Sequence, residues 1–113
     1  MQPKLRKTGR IKPKYNPQPN AEEARHEARL REMPCIGCGA WGVELHHTMV
    51  EFPEKRFRRD HRYQLPVCSS CHRGTGGIHG IGDEAQWAAI MGLRDTGEIA
   101  RDLWALSEAA EAV

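Results

Sequence analysis

The sequence predicts a small α+β domain, with short strands in the middle of the chain and helices on either side. Its 113 residues are about one domain's worth of chain, and 39% hydrophobic with 28% charged residues is an ordinary composition for a soluble protein. Two Phe, two Tyr and three Trp leave few large side chains for a core, and the 11 Gly and 7 Pro fall largely in clusters that interrupt packed elements. The core must therefore be small, and chains of this size usually need a metal or disulfides as well.

The N-terminal part of the chain is predicted to be a flexible basic arm followed by a helix. Residues 1–20 hold four prolines among lysines and arginines and show no apolar periodicity, which is typical of an extended or disordered segment. Asn20 is a suitable N-cap for a leading helix over 21–33, which is rich in Ala, Glu and Arg and stops at Pro34. His26 lies within this charged helix, so we expect it on the surface.

The middle of the chain, residues 34–82, is predicted to hold the strands. Residues 43–50 alternate between apolar and polar side chains, as a half-buried strand does. A second short strand over 63–67 leads directly into a short helix that begins at Ser69 or Ser70. Five glycines within residues 74–82 exclude a stable helix or strand there, which predicts a loop.

Two helices are predicted in the C-terminal part, residues 83–113. Asp83 is a suitable cap for a helix that runs to about Gly92, with Trp87, Ile90 and Met91 as its apolar residues. A last helix starts at a capping signal and carries its apolar residues on one face. These are Asp95 and Glu98 for the cap, and Ile99, Leu103 and Leu106 for the face.

Basic residues fall in two blocks. Residues 1–20 hold six and no acid, a charge of +6, and residues 55–73 hold six against one Asp, a charge of +5. Such blocks suit a phosphate backbone, and the plainer alternative is a solvated tail and a solvated loop. The candidate DNA-binding residues of the second block are Lys55, Arg56, Arg58, Arg59, Arg62 and Arg73.

Membrane and secreted classes are not expected. No apolar run approaches the roughly 18 residues that a spanning helix needs, and the N-terminus is basic and Pro-rich without the apolar segment of a signal peptide. We therefore expect a cytoplasmic protein without a membrane partner. In that reducing compartment, cysteines in close pairs are metal ligands before they are disulfides.

The four cysteines form two such pairs. Cys35 and Cys38, and then Cys68 and Cys71, share the x2 spacing of structural zinc sites, and 29 residues separate the pairs. A redox Cys-x-x-Cys would need a βαβ context that this sequence lacks. Because four cysteines complete a tetrahedral shell, the zinc is expected to be structural and to substitute for part of the missing core.

Four histidines remain near these cysteines. His46 and His47 lie at the end of a predicted strand whose alternation sends their side chains to opposite faces, so one can bind a metal while the other acts as a base. His72 directly follows the second cysteine pair, which would hold its backbone rigidly, as a metal ligand requires. His79 lies in the glycine-rich segment.

These residues resemble the HNH endonucleases, whose ββα-metal motif places two strands and a helix on a pair of cysteine turns. The wider pattern is similar to phage-borne members, including the Ref-like recombination nucleases, and the resemblance covers about residues 22–91. The segments that carry it are Cys35-x2-Cys38, Glu44-Leu45-His46-His47, Leu65-Pro66-Val67-Cys68-x2-Cys71-His72, Met33-Pro34-Cys35 and Gly77-Ile78-His79-Gly80.

The resemblance implies a zinc-stapled ββα-metal core and hydrolysis of DNA phosphodiester bonds. His47 stands where the family has its general base, His46 and His72 where it has metal ligands, and His79 is a further candidate ligand. The implied catalytic ion is Mg²⁺ or Mn²⁺, with Zn²⁺ or Ni²⁺ as alternatives because imidazoles favour them. The implied partners are DNA and a recombinase or another phage or host DNA-processing protein.

One position departs from the family pattern, because the middle Asn of the motif is missing. Tyr63 stands roughly in its place, with Asp60, His61 and Gln64 nearby. The residue that orients the base is therefore left open.

Two other functions are compatible with parts of the sequence. A zinc-ribbon module that binds nucleic acid without catalysis needs only the cysteine pairs and the basic blocks, and it gives no reason for adjacent His46 and His47 together with His72. A zinc-stabilised adaptor for protein interactions would leave both basic blocks unexplained.

Overall fold

The structure is a computed structural model that describes residues 18–49 and 60–112. Residues 1–17 of the predicted basic arm lie outside this range, as do four of the candidate DNA-binding residues, Lys55, Arg56, Arg58 and Arg59. The described residues confirm the α+β class, with two strands and five helices. In chain order these are α1 (Ala21–Arg31), β1 (Val43–His47), β2 (Gln64–Cys68), α2 (Ser69–Arg73), α3 (Ile78–Ile81), α4 (Glu84–Ile90) and α5 (Thr96–Glu111).

The leading helix α1 begins at the predicted N-cap. The Asn20 side chain accepts a hydrogen bond from the Glu23 amide at 2.8 Å, and the Glu23 carboxylate accepts one from the Asn20 amide at 2.9 Å. This reciprocal pair satisfies two of the amides that a helix start leaves without intrahelical partners. The helix ends three residues before Pro34.

The two strands form one antiparallel hairpin. Val43 pairs with Cys68 at one end and His47 with Gln64 at the other. All of β2 is buried, and it runs without a break into α2. Because adjacent residues of a strand face opposite sides of the sheet, His46 and His47 point to different faces of β1.

The hydrophobic core lies between the hairpin and helix α4. Trp87 is fully buried and shares a cluster with Leu65, Val67 and three of the four cysteines. The turn after Cys35 rests on the indole so closely that a Cβ at Gly37 would lie 2.8 Å from the Trp87 ring. The core and the cysteine region are therefore one packed body.

The prediction of a loop over residues 74–82 is wrong in part, because Ile78–Ile81 forms the single-turn helix α3. Ile78 is buried against the core, and a Cβ at Gly77 would lie 2.5 Å from the Ser70 carbonyl oxygen. The glycines therefore allow this segment to pack tightly against the end of α2. The glycines give this segment little intrinsic helix stability. Packing of the buried Ile78 against the core stabilises the helical turn instead.

The prediction that His26 lies on the surface is wrong. Its ring is fully buried between α1 and α5, where Nδ1 lies 2.6 Å from the Ser107 hydroxyl and the ring meets Trp104 edge-on. Burial lowers the pKa of His26, so it is neutral at pH 7. The charged sequence of α1 predicts an exposed His26, but α5 covers this position. The contacting Ser107 of α5 lies 81 residues from His26 in sequence.

The packed face of α5 also differs from the expected one. Leu106 is 66% exposed, whereas the small residues Ala100 and Ser107 are buried. Small side chains allow α5 to approach its neighbours closely. At its end, Glu111 pairs with Arg25 and Arg29 of α1 at 2.7 Å each, and hydrogen bonds from these guanidinium groups lower the pKa of Glu111 to about 2.

None of the helices in the described part of the chain has the length and apolar character of a membrane-spanning segment.

Candidate metal centres

The four cysteines meet at the end of the hairpin where Val43 pairs with Cys68. Cys35 and Cys38 come from the turn between α1 and β1, Cys68 ends β2, and Cys71 lies in α2. Their sulfur atoms all lie within 4.8 Å of one another, and Cys38 Sγ is 3.6 Å from Cys68 Sγ. Zinc–sulfur bonds of 2.3 Å place the sulfurs of a tetrahedral site about 3.8 Å apart. The four cysteines, here the cysteine cluster, are close enough to hold one metal ion and are compatible with structural zinc.

Backbone amides favour the ionised form of Cys35 in the cysteine cluster, which is the form that binds a cation. Burial opposes ionisation of Cys35, but backbone N–H groups, including those of Gly37 at 3.3 Å and Cys38 at 3.5 Å, outweigh it and lower the pKa of its thiol to about 6. Burial and the neighbouring Cys35 raise the pKa of Cys71. One thiolate is thus available at neutral pH, and a bound cation would favour ionisation of the others.

The three predicted histidine ligands also meet, on one face of β1. His46 of β1, His72 of α2 and His79 of α3 each bring a ring nitrogen within 4.8 Å of the other two. His72 Nε2 and His79 Nε2 are 3.2 Å apart. Bonds of 2.0–2.1 Å to one tetrahedral ion separate neighbouring nitrogens by about 3.3–3.4 Å. These residues, here the His46 cluster, have the spacing of ligands to a single divalent ion.

Two carboxylates that sequence reasoning missed support this cluster. Glu84 Oε1 lies 2.8 Å from His46 Nε2, and Glu44 Oε1 lies 2.8 Å from His72 Nδ1. Each contact engages one nitrogen of an imidazole and leaves the other for a metal ion, as in the carboxylate–histidine–metal arrangements of known metal sites. Glu44 precedes His46 by two residues on β1, so strand alternation could have found it.

Glu84 is a largely buried side chain whose surroundings favour the ionised carboxylate. Its side chain is 10% exposed, and it accepts hydrogen bonds from the hydroxyls of Thr48 and Thr96 as well as from His46. Burial opposes its ionisation, but these hydrogen bonds outweigh burial and hold its pKa below the usual value. A carboxylate with a low pKa stays available to orient His46 over the whole physiological pH range.

The pKa of the remaining ligand candidate, His79, lies below the usual value for histidine. Burial lowers its pKa, and the neighbouring His72 and His46 lower it further. A neutral imidazole has a lone pair for a cation, so protons compete less with a metal at His79 than at an isolated histidine.

His47 belongs to a separate cluster on the other face of β1. Its Nε2 lies 3.1 Å from Nδ1 of His61, and that nitrogen lies 3.3 Å from Oε2 of Glu27 in α1. Among the residues near the missing Asn, His61 thus contacts His47, whereas the Tyr63 ring lies against Arg62 and Arg101. Sequence reasoning did not find Glu27, which lies in the helix that precedes the cysteine cluster. We call Glu27, His47 and His61 the His47 cluster.

Two of the candidate phosphate-binding arginines lie in the described part of the chain. Arg62 pairs with Asp60 at 2.9 Å, and Arg73 pairs with Glu44, which places Arg73 beside the His46 cluster. The Arg73 side chain is 64% exposed, so it is accessible to a polyanion.

Comparisons with protein-family models, with curated proteins and with solved structures gave no match. A functional conclusion for this chain therefore depends on the geometry of its three donor clusters.

Proposed function

We propose that the protein is a divalent-metal-dependent endonuclease of the HNH type, which hydrolyses DNA phosphodiester bonds. The observation that carries the proposal is the His46 cluster. Its three imidazoles come from β1, α2 and α3 next to the cysteine cluster, and two of them are backed by carboxylates. The strand–strand–helix order from β1 to α2 is the order that a ββα-metal core requires.

In this proposal the cysteine cluster binds structural zinc. Its four thiolates complete a tetrahedral shell and leave no position for substrate. The cluster is continuous with the core around Trp87, so the ion contributes to folding rather than to the reaction.

The His46 cluster binds the catalytic ion. A divalent cation there supplies electrostatic stabilisation to the scissile phosphate and the leaving 3′ oxygen. Glu84 and Glu44 fix the orientations of His46 and His72, and a set of three imidazole ligands favours Mn²⁺, Zn²⁺ or Ni²⁺ over Mg²⁺.

The resemblance, rather than the geometry, assigns the role of general base to His47, whose ring belongs to the His47 cluster on the opposite face of β1 from the ion. A neutral imidazole has a lone pair that can take the proton of the attacking water. Arg73 lies next to His72 and is exposed, so it is suited to contact a backbone phosphate after exchanging its bond to Glu44. The basic blocks over 1–20 and 55–73 add charge for binding duplex DNA.

The biological setting of the proposal depends on the resemblance alone. It is a phage-encoded nuclease that acts in recombination or processing of DNA in the bacterial cytoplasm, together with a recombinase or another DNA-processing protein.

Nicking of supercoiled plasmid tests the function. Wild-type protein is incubated with Mn²⁺, Mg²⁺ or EDTA, beside His72→Ala and beside Glu108→Gln as a control at an exposed position of α5. We expect nicking that needs the divalent ion, is lost in His72→Ala and is unchanged in Glu108→Gln.

Two results would contradict the proposal. Nicking by His72→Ala at the wild-type rate would exclude the His46 cluster as the reaction centre. Salt-sensitive DNA binding without cleavage under any metal would favour the zinc-ribbon binding module instead.

A further inference from the structure

The face of β1 opposite the His46 cluster holds a second group of three donor atoms, from Glu27, His47 and His61. His61 Nδ1 lies 3.1 Å from His47 Nε2 and 3.3 Å from Glu27 Oε2. A neutral imidazole carries one hydrogen, so Nδ1 cannot accept a hydrogen bond from His47 and also donate one to Glu27. A single cation placed between them could instead bind a lone pair of each of the three atoms.

The distances agree with common ligation of one ion. The three donor atoms all lie within 4.8 Å of one another. Ligands at 2.0–2.1 Å around a tetrahedral ion lie about 3.3–3.4 Å apart, close to the two separations at His61. The same spacing occurs between His72 and His79 in the His46 cluster.

A buried amide holds the cluster in this arrangement. Gln64 is 1% exposed and pairs with His47 in the hairpin register. Its Nε2 donates to Oε2 of Glu27 at 2.9 Å and to the carbonyl oxygen of His61 at 2.7 Å. Hydrogen bonds of this kind, which orient a ligating carboxylate from outside, are typical of metal sites.

The geometry points to a second divalent-cation site, formed by Glu27, His47 and His61. Two imidazoles and one carboxylate suit Zn²⁺ and related transition metals, and three protein ligands leave a fourth position open. The carboxylate offsets part of the charge of the ion, and both Glu27 and His61 are largely buried. This site goes beyond the proposed function, because its occupation does not require cleavage of any substrate.

The site has one consequence that does depend on the proposed function. An ion bound at Nε2 of His47 leaves the hydrogen of the neutral ring on Nδ1, so His47 cannot accept a proton from water while the ion is bound. Excess Zn²⁺ should therefore inhibit cleavage in Mn²⁺, and Glu27→Gln should need a higher Zn²⁺ concentration for the same inhibition.

Equilibrium dialysis of the full chain against Zn²⁺, with metal counting, tests the site directly. Wild type is expected to bind an ion in each of the two histidine-containing clusters besides the cysteine-bound zinc. His61→Ala and Glu27→Gln should each lose the same ion, with affinity reduced by more than the about 10–100-fold that loss of an outer hydrogen-bonding partner costs. Glu22→Gln, on the same helix, should bind as wild type does.

The variants distinguish the possible failures. His79→Ala should lose a different ion, so that His61→Ala combined with His79→Ala retains only the cysteine-bound zinc, which also reports that the chain is folded. Unchanged Zn²⁺ binding by both His61→Ala and Glu27→Gln would overturn the second site. If the ion counts are as expected and no DNA is cleaved, the metal site stands and the nuclease proposal fails.

Discussion

The two ends of the β1–β2 hairpin carry donor clusters of different chemistry. Where Val43 pairs with Cys68, four sulfurs surround one point and join the hydrophobic core. At the other end, His46 and His47 belong to two sets of three donors, each supported by carboxylates or an amide. Four ligands close a tetrahedral site, whereas three leave a position for water or substrate. One short hairpin thus carries a four-sulfur cluster at one end and two histidine-containing clusters at the other.

The clusters also differ in what surrounds them. Removal of a cysteine ligand exposes a core whose largest member, Trp87, packs against the first cysteine turn. Removal of a histidine leaves that core in place. Substitutions at the two ends should therefore separate stability from activity.

The largest expected effect is at the cysteine end. Cys35→Ser should abolish cooperative folding, because structural zinc contributes roughly 10–16 kcal/mol in small domains and the whole stability of a domain is about 5–15 kcal/mol. Thermal melting with zinc analysis measures this, and Ser70→Ala, an exposed neighbour of Cys71, serves as the control. A Cys35→Ser protein that melts near the wild-type temperature with one bound zinc would show that the ion is not structural.

The second effect is on cleavage rather than folding. His47→Ala should reduce plasmid nicking by at least about 10²-fold, the lower range for loss of a general base, while the cysteine-bound zinc and the melting temperature are retained. Initial nicking rates in Mn²⁺ provide the measurement. Loss of the cysteine-bound zinc in this variant would mean that the two ends of the hairpin are not independent.

A smaller effect is expected from the carboxylates behind the histidines. Glu84→Gln keeps the shape of a buried side chain but removes the charge that faces His46, so Mn²⁺ affinity should fall by about 10–100-fold. Titration of Mn²⁺ binding by calorimetry tests this, with Glu108→Gln as the exposed control. Equal affinities for Glu84→Gln and the control would show that the carboxylate does not support a metal ligand.

The smallest effect lies away from both ends, at the contact between α1 and α5. The pKa of Glu111 is about 2 in the folded chain, below the usual 4.5, so its ion pairs with Arg25 and Arg29 stabilise the fold fully above about pH 4.5. That stabilisation is lost as the pH falls towards 2. Urea unfolding should show Glu111→Gln to be less stable than wild type at pH 7, with the difference shrinking in acid. If the stability difference between wild type and Glu111→Gln grew as the pH fell, the Glu111 ion pairs would not be the source of the stabilisation.

Local sequence signals were sufficient for several features. The Asn20 cap, the start of α2 at Ser69 and the pairing of the two cysteine turns all depend on residues close in sequence or on a fixed spacing. The HNH resemblance placed His46, His72 and His79 together, and the structure brings them together. Nuclease activity, DNA binding and the role of His47 as a base stay predictions.

The sequence by itself identified the candidate ligands, because cysteines at the x2 spacing and histidines close to them are typical of metal sites. Only the tertiary structure decided which carboxylates contact these side chains. Glu84 meets His46 across 38 residues, and Glu44 meets His72 across 28. Glu27 of helix α1 reaches His61 in the turn before β2, and His26 is buried by α5 rather than exposed on α1. Such contacts arise from how helices dock on the hairpin, and docking depends on the complementary shapes of distant segments, which no local pattern records.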